Sequence, residues 1–121
     1  MLEKFKDELW IIGVSGGPDS MALLDQCVQA RIDCFVAHVN YHKRNSALRD
    51  QKIVEDYCLK NHINYQIFDA PVFEKGNFQD HARNFRYTAM LNLLKEINAD
   101  KIAVAHHKDD DLETYLFQKE R

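Results

Sequence analysis

A hexapeptide rich in hydrogen-bond donors, SGGPDS, begins at Ser15 and directly follows the apolar run LWIIGV. Gly16 and Gly17 let the backbone turn tightly and leave its N–H groups bare, while Ser15 and Ser20 add hydroxyls. A helix beginning at Pro18 would direct the positive end of its dipole at the same point. Together these features form a cradle for an anion such as phosphate. A plain glycine-rich turn between a strand and a helix is the other interpretation.

The hexapeptide is neither a Walker A loop, which ends in Gly-Lys-Ser/Thr, nor a GxGxxG dinucleotide fingerprint. Its Asp19 carboxylate would be repelled by a polyphosphate unless a cation lay between them. Asp19 is therefore a candidate ligand for Mg²⁺, which proteins bind through one or two carboxylates together with substrate phosphates. In the alternative interpretation Asp19 only complements the helix dipole.

A second cluster, AHHKDDDLETYL, combines two histidines with four acidic residues within a five-residue stretch. At the start of a helix, each of these carboxylates would stabilise the helix by about 0.3–1 kcal/mol through its interaction with the dipole. Four carboxylates in this space also repel one another, so a bound cation is the favoured interpretation. The histidines fit no zinc pattern. His106 is a candidate to contact phosphate or a reacting base, and His107 is either functional or a structural histidine.

Two arginines lie on a long predicted helix, and their positions differ relative to its apolar stripe. Arg86 falls within about 40° of the centre of the stripe at 100° per residue, so its guanidinium needs a partner. An ion pair with Glu113 or Asp110 is the structural interpretation. Arg83, at the flank, is the candidate to contact a substrate nucleotide or its transition-state charge. The segment HKRNSALR is either a solvated basic loop or an RNA contact.

Apolar runs alternate with helical patterns along the whole chain, which predicts an open α/β fold. The predicted strands are Leu9–Val14, Asp33–Asn40, Tyr65–Phe68 and Lys101–His106; the predicted helices begin at Pro18, after a Ser46 cap, at Asn77 and near Asp109. Such alternation gives a doubly wound parallel sheet covered on both faces. Ligands in such folds bind outside the carboxyl ends of the strands at a switch point, so the first and fourth strands are expected to flank the site.

The composition sets limits on function and partners. With 16 Lys and Arg against 19 Asp and Glu, the net charge is −3, so no global basic field attracts nucleic acid. Cys27, Cys34 and Cys58 form no CxxC pair and are expected to be buried, reduced thiols. No apolar run approaches a membrane span, and the polar N-terminus does not resemble a signal peptide. A cytoplasmic, membrane-free domain over residues 1–121 is expected.

Four motifs together identify a family resemblance. SGGPDS after the first strand resembles the signature of the PP-loop, or N-type, ATP pyrophosphatases. HVNYHKR, NFQDHARNFRY and AHHKDDDLETYL, in this order, resemble three motifs of the tRNA(Ile)-lysidine synthetases. Asp111 stands where that family commonly has Gln, and Tyr41 and His42 alter the second motif. The motifs span nearly the whole chain.

The resemblance implies a PP-loop variant of the doubly wound fold and an ATP-dependent tRNA modification. ATP would adenylate the C2 oxygen of the wobble cytidine in isoleucine tRNA with a CAU anticodon. The amine of L-lysine would then displace AMP to form lysidine, with Mg²⁺ as cofactor. A homodimer is compatible with this assignment. A tRNA cytidine thiolase, an amide-forming PP-loop ligase and a non-catalytic ATP-binding fragment remain alternatives.

The resemblance also implies roles for individual residues. Pyrophosphate would bind at Ser15, Gly16, Gly17, Pro18 and Ser20, and Mg²⁺ would bind to Asp19 and Asp110. Adenine would contact the main chain at Val39 and Asn40. The reacting nucleotide would lie near Arg83 and His106. The family's catalytic domain is longer and is followed by tRNA-binding regions. This chain is therefore expected to bind ATP but to modify tRNA poorly by itself.

Overall fold

The computed structural model describes residues 8–42, 47–71, 78–108 and 111–118, with the main chain alone for 78–79, 106–108 and 111–118. The strands are β1 (Leu9–Gly13), β2 (Asp33–Asn40), β3 (Asn64–Asp69), β4 (Lys101–Lys108) and β5 (Asp111–Gln118). The helices are α1 (Pro18–Gln29), α2 (Ala47–Lys60) and α3 (Phe78–Glu96). The four predicted strands and first three predicted helices are therefore present. Ser46 and Asn77, the predicted caps, lie outside the described residues.

The sheet has the order β3-β2-β1-β4-β5, with β1 in the middle as expected. The β1–β2, β1–β4 and β2–β3 pairs are all parallel. The chain moves outward from β1 to β2 and β3, and then returns through α3 to the other side of β1. The reversal of direction lies between β1 and β4, which is the switch point where this class of fold binds ligands.

Both faces of the sheet are covered, as the doubly wound prediction requires. Trp10, Ile12 and Val14 point to one face, where they pack with Leu24 of α1 and Val54 of α2. On the opposite face Ile11, Ala37, Ile102 and Val104 pack with α3 through Met90, Leu93 and Leu94. Because successive side chains of a strand alternate between faces, the unbroken apolar run of β1 supplies both cores.

Each of the three helices ends in the same way although none ends at glycine. Arg31, His62 and Asn98 adopt φ values of +62°, +58° and +56°. The residue after each of them donates its N–H to a carbonyl five residues back, as in Ile32 N to Cys27 O at 3.1 Å. This pairing is the Schellman motif, and it turns the chain back toward the amino edge of the sheet.

The segment after β4 corrects one prediction. A helix was expected from about Asp109, but the described residues form β5, which pairs antiparallel with β4 in a register that includes His106 with Glu113 and Val104 with Tyr115. Thr114, Tyr115 and Phe117 are residue types that favour strands, and an antiparallel partner needs only a two-residue connection after Lys108. Asp111 and Glu113 therefore lie in a strand and do not complement the dipole of a helix.

No described helix is both long enough and apolar enough to cross a membrane.

Candidate functional site

The hexapeptide loop follows β1 and is organised by its own serine hydroxyls. The Ser15 N–H donates to the Ser20 Oγ at 3.1 Å, and the Ser20 hydroxyl donates to the Gly17 carbonyl at 3.1 Å. The two hydroxyls lie 3.1 Å apart, and the Gly17 N–H donates to the Ser15 Oγ at 3.3 Å. Ser20 is buried and Ser15 is exposed, so the inner hydroxyl fixes the loop while the outer one faces solvent.

Gly16 is the residue of this loop that no other amino acid can replace without strain. Its φ is +93°, a conformation that L side chains rarely adopt. A Cβ at this position would also lie 2.9 Å from both the Cβ and the carbonyl oxygen of Asp50 in the first turn of α2. The loop is therefore packed against the start of α2 as well as forming the start of α1. No sequence motif indicates this contact, although βα alternation places the start of each helix at the same edge of the sheet.

The start of α1 leaves main-chain donors at the loop. Gly17 is the N-cap and forms no side-chain cap, and Pro18 has no N–H. The Met21 N–H donates to the Gly17 carbonyl at 3.0 Å. The N–H groups of Asp19 and Ser20 thus lie in the first turn of α1, where main-chain N–H groups have no acceptor within the helix. Asp19 itself is half-buried in that turn.

A cavity of about 70 Å³ opens beside the loop at the switch point. It lies at the carboxyl ends of β1, β2 and β4, against α3. Its wall comprises Gly13, Val14, Ser15, Ser20, Ala37, Val39, Tyr41, Arg86, Met90, Val104 and Ala105. Two serine hydroxyls and one guanidinium are thus brought to one apolar cavity, an arrangement suited to a ligand with an anionic end.

The end of β2 presents main-chain groups toward this cavity. The N–H of Val14, the residue after the end of β1, donates to the Ala37 carbonyl at 2.9 Å. Main-chain groups of alternate strand residues point to the same side, so the N–H and C=O of Val39 point toward β1 beyond its last residue. His38 is buried, and its Nδ1–H donates to the Val14 carbonyl at 2.7 Å. Val39 lines the cavity, and its contact with the edge of a base stays a prediction.

Asn40, predicted beside Val39, has a different position. It is buried, and its side chain donates to Gln51 of α2 at 2.9 Å and accepts the His42 N–H at 2.8 Å. Its carbonyl accepts the Ala70 N–H at 3.0 Å, on the β3 side. Asn40 therefore ties α2 and β3 to the end of β2, and it does not line the cavity.

Tyr41 and Arg86 were not predicted to line a site, but both contribute to the cavity wall. The Tyr41 hydroxyl donates to the Ala82 carbonyl of α3 at 3.2 Å. Burial raises the pKa of Tyr41, and the nearby Arg86 charge partly offsets this rise. The Arg86 Nε is buried and has no hydrogen-bond partner among the described residues. The carboxylates predicted to pair with Arg86, Asp110 and Glu113, lie outside the side chains that the structure describes.

The remaining predicted site residues lie elsewhere or outside the described part. Arg83 is exposed on α3 and does not line the cavity. His106 follows the cavity residue Ala105 in β4, but only its main chain is described. Asp110, and Lys43 and Arg44 of the basic segment, lie outside the described residues. The roles of Arg83, His106 and Asp110 stay predictions.

The three cysteines are free, and Cys27 and Cys58 are buried as expected, whereas Cys34 is only half-buried. Cys34 is at the amino end of β2, and Cys27 is near the end of α1, which returns to that edge of the sheet. Cys58 is buried near the end of α2. No cysteine lines the cavity beside the hexapeptide loop. The thiols therefore belong to the core at the opposite edge.

The described residues contain no group of three or more His, Cys, Asp or Glu side chains that could hold a metal ion. Proteins bind Mg²⁺ through one or two carboxylates, with water and substrate phosphate oxygens as its other ligands. Asp19 is the described carboxylate in the first turn at the loop.

Comparisons with known proteins agree with this geometry. A family model described as a PP-loop domain matches residues 1–121. The chain is 56% identical over 110 residues to the tRNA(Ile)-lysidine synthase of Mycoplasmopsis pulmonis, covering 90% of this chain and 38% of that protein. It is 38% identical over 127 residues to the enzyme of that name from Mesoplasma florum, covering 99% of this chain and 32% of that protein. The chain thus spans well under half the length of these relatives.

Solved structures resemble the chain in fold. The U34-tRNA thiolase NcsA from Methanococcus maripaludis, solved with its [4Fe-4S] cluster, superposes with a TM-score of 0.71 at 20% identity, over 90% of this chain and 43% of that one. The NH3-dependent NAD synthetase from Campylobacter jejuni superposes with a TM-score of 0.60 at 17% identity, over 84% and 49% of the two chains. At such identities the likeness shows the shared fold alone.

Proposed function

Because this chain belongs to the PP-loop domain family, we propose that it is the ATP-binding and adenylating domain of a tRNA(Ile)-lysidine synthase. The observation that carries the proposal is the convergence of loop hydroxyls, the start of α1 and Arg86 on one cavity at the switch point. The substrates would be ATP, L-lysine and isoleucine tRNA with a CAU anticodon, and the reaction would take place in the cytoplasm. A homodimer stays a prediction.

The loop and the cavity would bind different parts of the nucleotide. The N–H groups at the start of α1 and the Ser15 hydroxyl would bind the phosphates that leave as pyrophosphate, and Ser20, which donates to the Gly17 carbonyl, would hold the loop in shape for them. The Val39 N–H and C=O would read the adenine edge. Arg86 would bind a phosphate oxygen, which would satisfy its buried Nε–H. The ion pair of Arg86 with Glu113 or Asp110 stays the alternative prediction.

The proposed chemistry has two transfers. The C2 oxygen of the wobble cytidine attacks the α-phosphorus of ATP, and the bond to the pyrophosphate oxygen breaks. The ε-amine of lysine then attacks C2, losing a proton, and AMP leaves with that oxygen. Donors at the loop favour the first transfer because they stabilise the negative charge that develops on the leaving pyrophosphate.

Mg²⁺, when bound, would neutralise phosphate charge and so assist the departure of pyrophosphate. Asp19 is the described residue that would hold it, with Asp110 predicted as a second ligand. Without a cation the Asp19 carboxylate would repel the phosphates that the adjacent N–H groups attract, so Asp19 is expected to matter for Mg-ATP more than for AMP.

Recognition of the tRNA is proposed to involve more than this chain. The net charge of −3 provides no overall electrostatic attraction for RNA, and each phosphate contact would add roughly 0.9 to the slope of log affinity against log salt. The relatives that carry the enzyme name are more than twice as long. The chain is therefore expected to bind ATP well and isoleucine tRNA weakly.

The test measures release of pyrophosphate and AMP from ATP with the tRNA and lysine added separately. Pyrophosphate release should require the tRNA, and AMP release should require both the tRNA and lysine. Pyrophosphate release with a small carboxylate and no tRNA would instead indicate an amide-forming ligase. A sulfur donor that replaced lysine would indicate a thiolase.

Nucleotide binding is tested separately, because the chain can bind ATP without turning it over. Asp19→Ala should weaken Mg-ATP binding at least tenfold while changing AMP binding by less than about threefold. Asp25→Ala is the matched control, since it removes the same charge from an exposed position of α1. Equal losses of Mg-ATP and AMP in Asp19→Ala would mean that Asp19 only stabilises the helix.

A further inference from the structure

Tyr41 connects the end of β2 to α3 at a single carbonyl. It follows the last residue of β2, lines the cavity and is half-buried. Its hydroxyl donates to the Ala82 carbonyl at 3.2 Å. In an α-helix the carbonyl of residue 82 is also the acceptor for the N–H of residue 86. Tyr41 therefore binds the same carbonyl that holds the main chain of Arg86, and a carbonyl oxygen has two lone pairs for this purpose.

The Arg86 side chain is held in the cavity wall without an ion pair among the described residues. Its guanidinium carbon lies 5.4 Å from the centre of the Tyr87 ring, and its Nε is buried without a hydrogen-bond partner in the described part of the chain. A buried donor without an acceptor is costly, so an acceptor such as a phosphate oxygen in the cavity would be favoured there. The Tyr41 hydroxyl is close enough to feel the Arg86 charge, which lowers the Tyr41 pKa against the larger effect of burial.

We infer that Tyr41 is a positioning residue, which fixes the Arg86 turn of α3 against the end of β2 and so keeps the guanidinium in the cavity for a nucleotide phosphate. The inference rests on the proposed function, because it presumes that the cavity receives ATP. Without the Tyr41 hydroxyl, α3 loses this hydrogen bond to the end of β2. The guanidinium then samples positions outside the cavity, and bound phosphate loses part of its interaction with Arg86.

The test is a double-mutant cycle on Mg-ATP binding, measured by calorimetry on the full chain. Tyr41→Phe keeps the ring and removes one hydrogen bond, so it should weaken Mg-ATP binding roughly three- to tenfold. Adenosine, which has no phosphate, should bind within about twofold of the wild type. In an Arg86→Met background, which keeps the length of the side chain but not its charge, Tyr41→Phe should change Mg-ATP binding by less than about twofold.

The chain offers a matched control. The Tyr57 hydroxyl also forms one hydrogen bond between elements, to Asp25 of α1 at 2.8 Å, but Tyr57 does not line the cavity. Tyr57→Phe should leave Mg-ATP binding unchanged. Thermal unfolding of every variant shows whether it remains folded, and Arg86→Gln replaces Arg86→Met if the latter does not.

Each contrary result has a distinct meaning. If Tyr41→Phe weakens Mg-ATP equally with and without Arg86, or weakens adenosine as much as Mg-ATP, Tyr41 does not act through Arg86 and the inference is wrong. If Arg86→Met weakens Mg-ATP and Tyr41→Phe does not, the inference is also wrong, but the proposed function stands. If the wild-type chain does not bind Mg-ATP, the proposed function and the inference built on it both fail.

Discussion

Gly16→Ala perturbs the loop in two independent ways that the structure describes. Alanine would be forced to φ +93°, and its Cβ would lie 2.9 Å from the Asp50 Cβ and carbonyl oxygen and 3.2 Å from the Asp50 Cα. An unfavourable φ costs about 1–3 kcal/mol, and overpacking costs about 1–3 kcal/mol. With partial relaxation, the free energy of unfolding should fall by about 2–5 kcal/mol. That is a large part of the roughly 5–15 kcal/mol that stabilises a domain.

Gly17→Ala is the matched control in the same loop. Gly17 has φ −77°, which alanine adopts readily, and a Cβ there would meet only the Ser15 Oγ at 3.5 Å, an ordinary contact. The gain from a stiffer unfolded chain and the loss of glycine at an N-cap nearly cancel, so the change should stay within about 1 kcal/mol. The two substitutions thus differ in backbone strain and packing but not in chemistry.

Urea unfolding gives the free energies, and calorimetry gives Mg-ATP affinity. For a domain of this size 1 kcal/mol moves the melting temperature by about 3–6 °C, so Gly16→Ala should melt at least about 6 °C lower. Its Mg-ATP affinity should fall more than tenfold because the loop N–H groups are displaced. The penalty should be the same in an Asp50→Ala background, because the Asp50 atoms in contact are Cα, Cβ and the carbonyl oxygen, which alanine retains. A Gly16→Ala chain with wild-type stability and affinity would refute this reasoning.

Two further predictions concern buried groups. His38→Ala removes a buried hydrogen bond of 2.7 Å from Nδ1–H to the Val14 carbonyl, so the free energy of unfolding measured in urea should fall by about 1–3 kcal/mol. The free energy of unfolding should fall less in His38→Asn, because the amide can still donate. Equal losses in the two variants would contradict a role for this hydrogen bond. Burial, with a smaller effect of Glu55, raises the pKa of the Cys58 thiol to about 11 from an ordinary value of 9.0. Between pH 9 and 11 the unfolded chain loses this proton and the folded chain keeps it, so the free energy of unfolding should fall as pH rises through this window. The fall should be less steep in Cys58→Ala. Identical slopes of the free energy of unfolding against pH in the two proteins would show that the folded thiol titrates normally.

Much of the fold and the identity of the loop could be predicted from local sequence. The apolar runs of β1, β2 and β4 are long enough to be buried on both faces, and that requirement alone implies a covered parallel sheet. The SGGPDS loop could be assigned because glycine freedom, hydroxyl donors and a helix start are properties of adjacent residues. The family resemblance, which the PP-loop match confirms, rests on such local motifs as well.

The tertiary structure decided which side chains face the cavity. Arg83 and Arg86 lie on the same helix, and packing of Met90, Leu93 and Leu94 on the sheet fixes the rotation that brings Arg86 to the cavity wall. The contact of Gly16 with Asp50 and the bond from Tyr41 to Ala82 join segments that are distant along the chain. No periodicity within one segment encodes such contacts.

The last strand shows the same division between local and tertiary information. The acidic run before Leu112 predicts the first turn of a helix, yet residues 111–118 pair with β4 instead. A strand forms only where a partner offers its main-chain N–H and C=O groups, and the open edge of β4 exists only once the sheet has assembled. Local sequence therefore determined the loop and the four parallel strands, while the assembled sheet decided the fifth strand and the residues around the cavity.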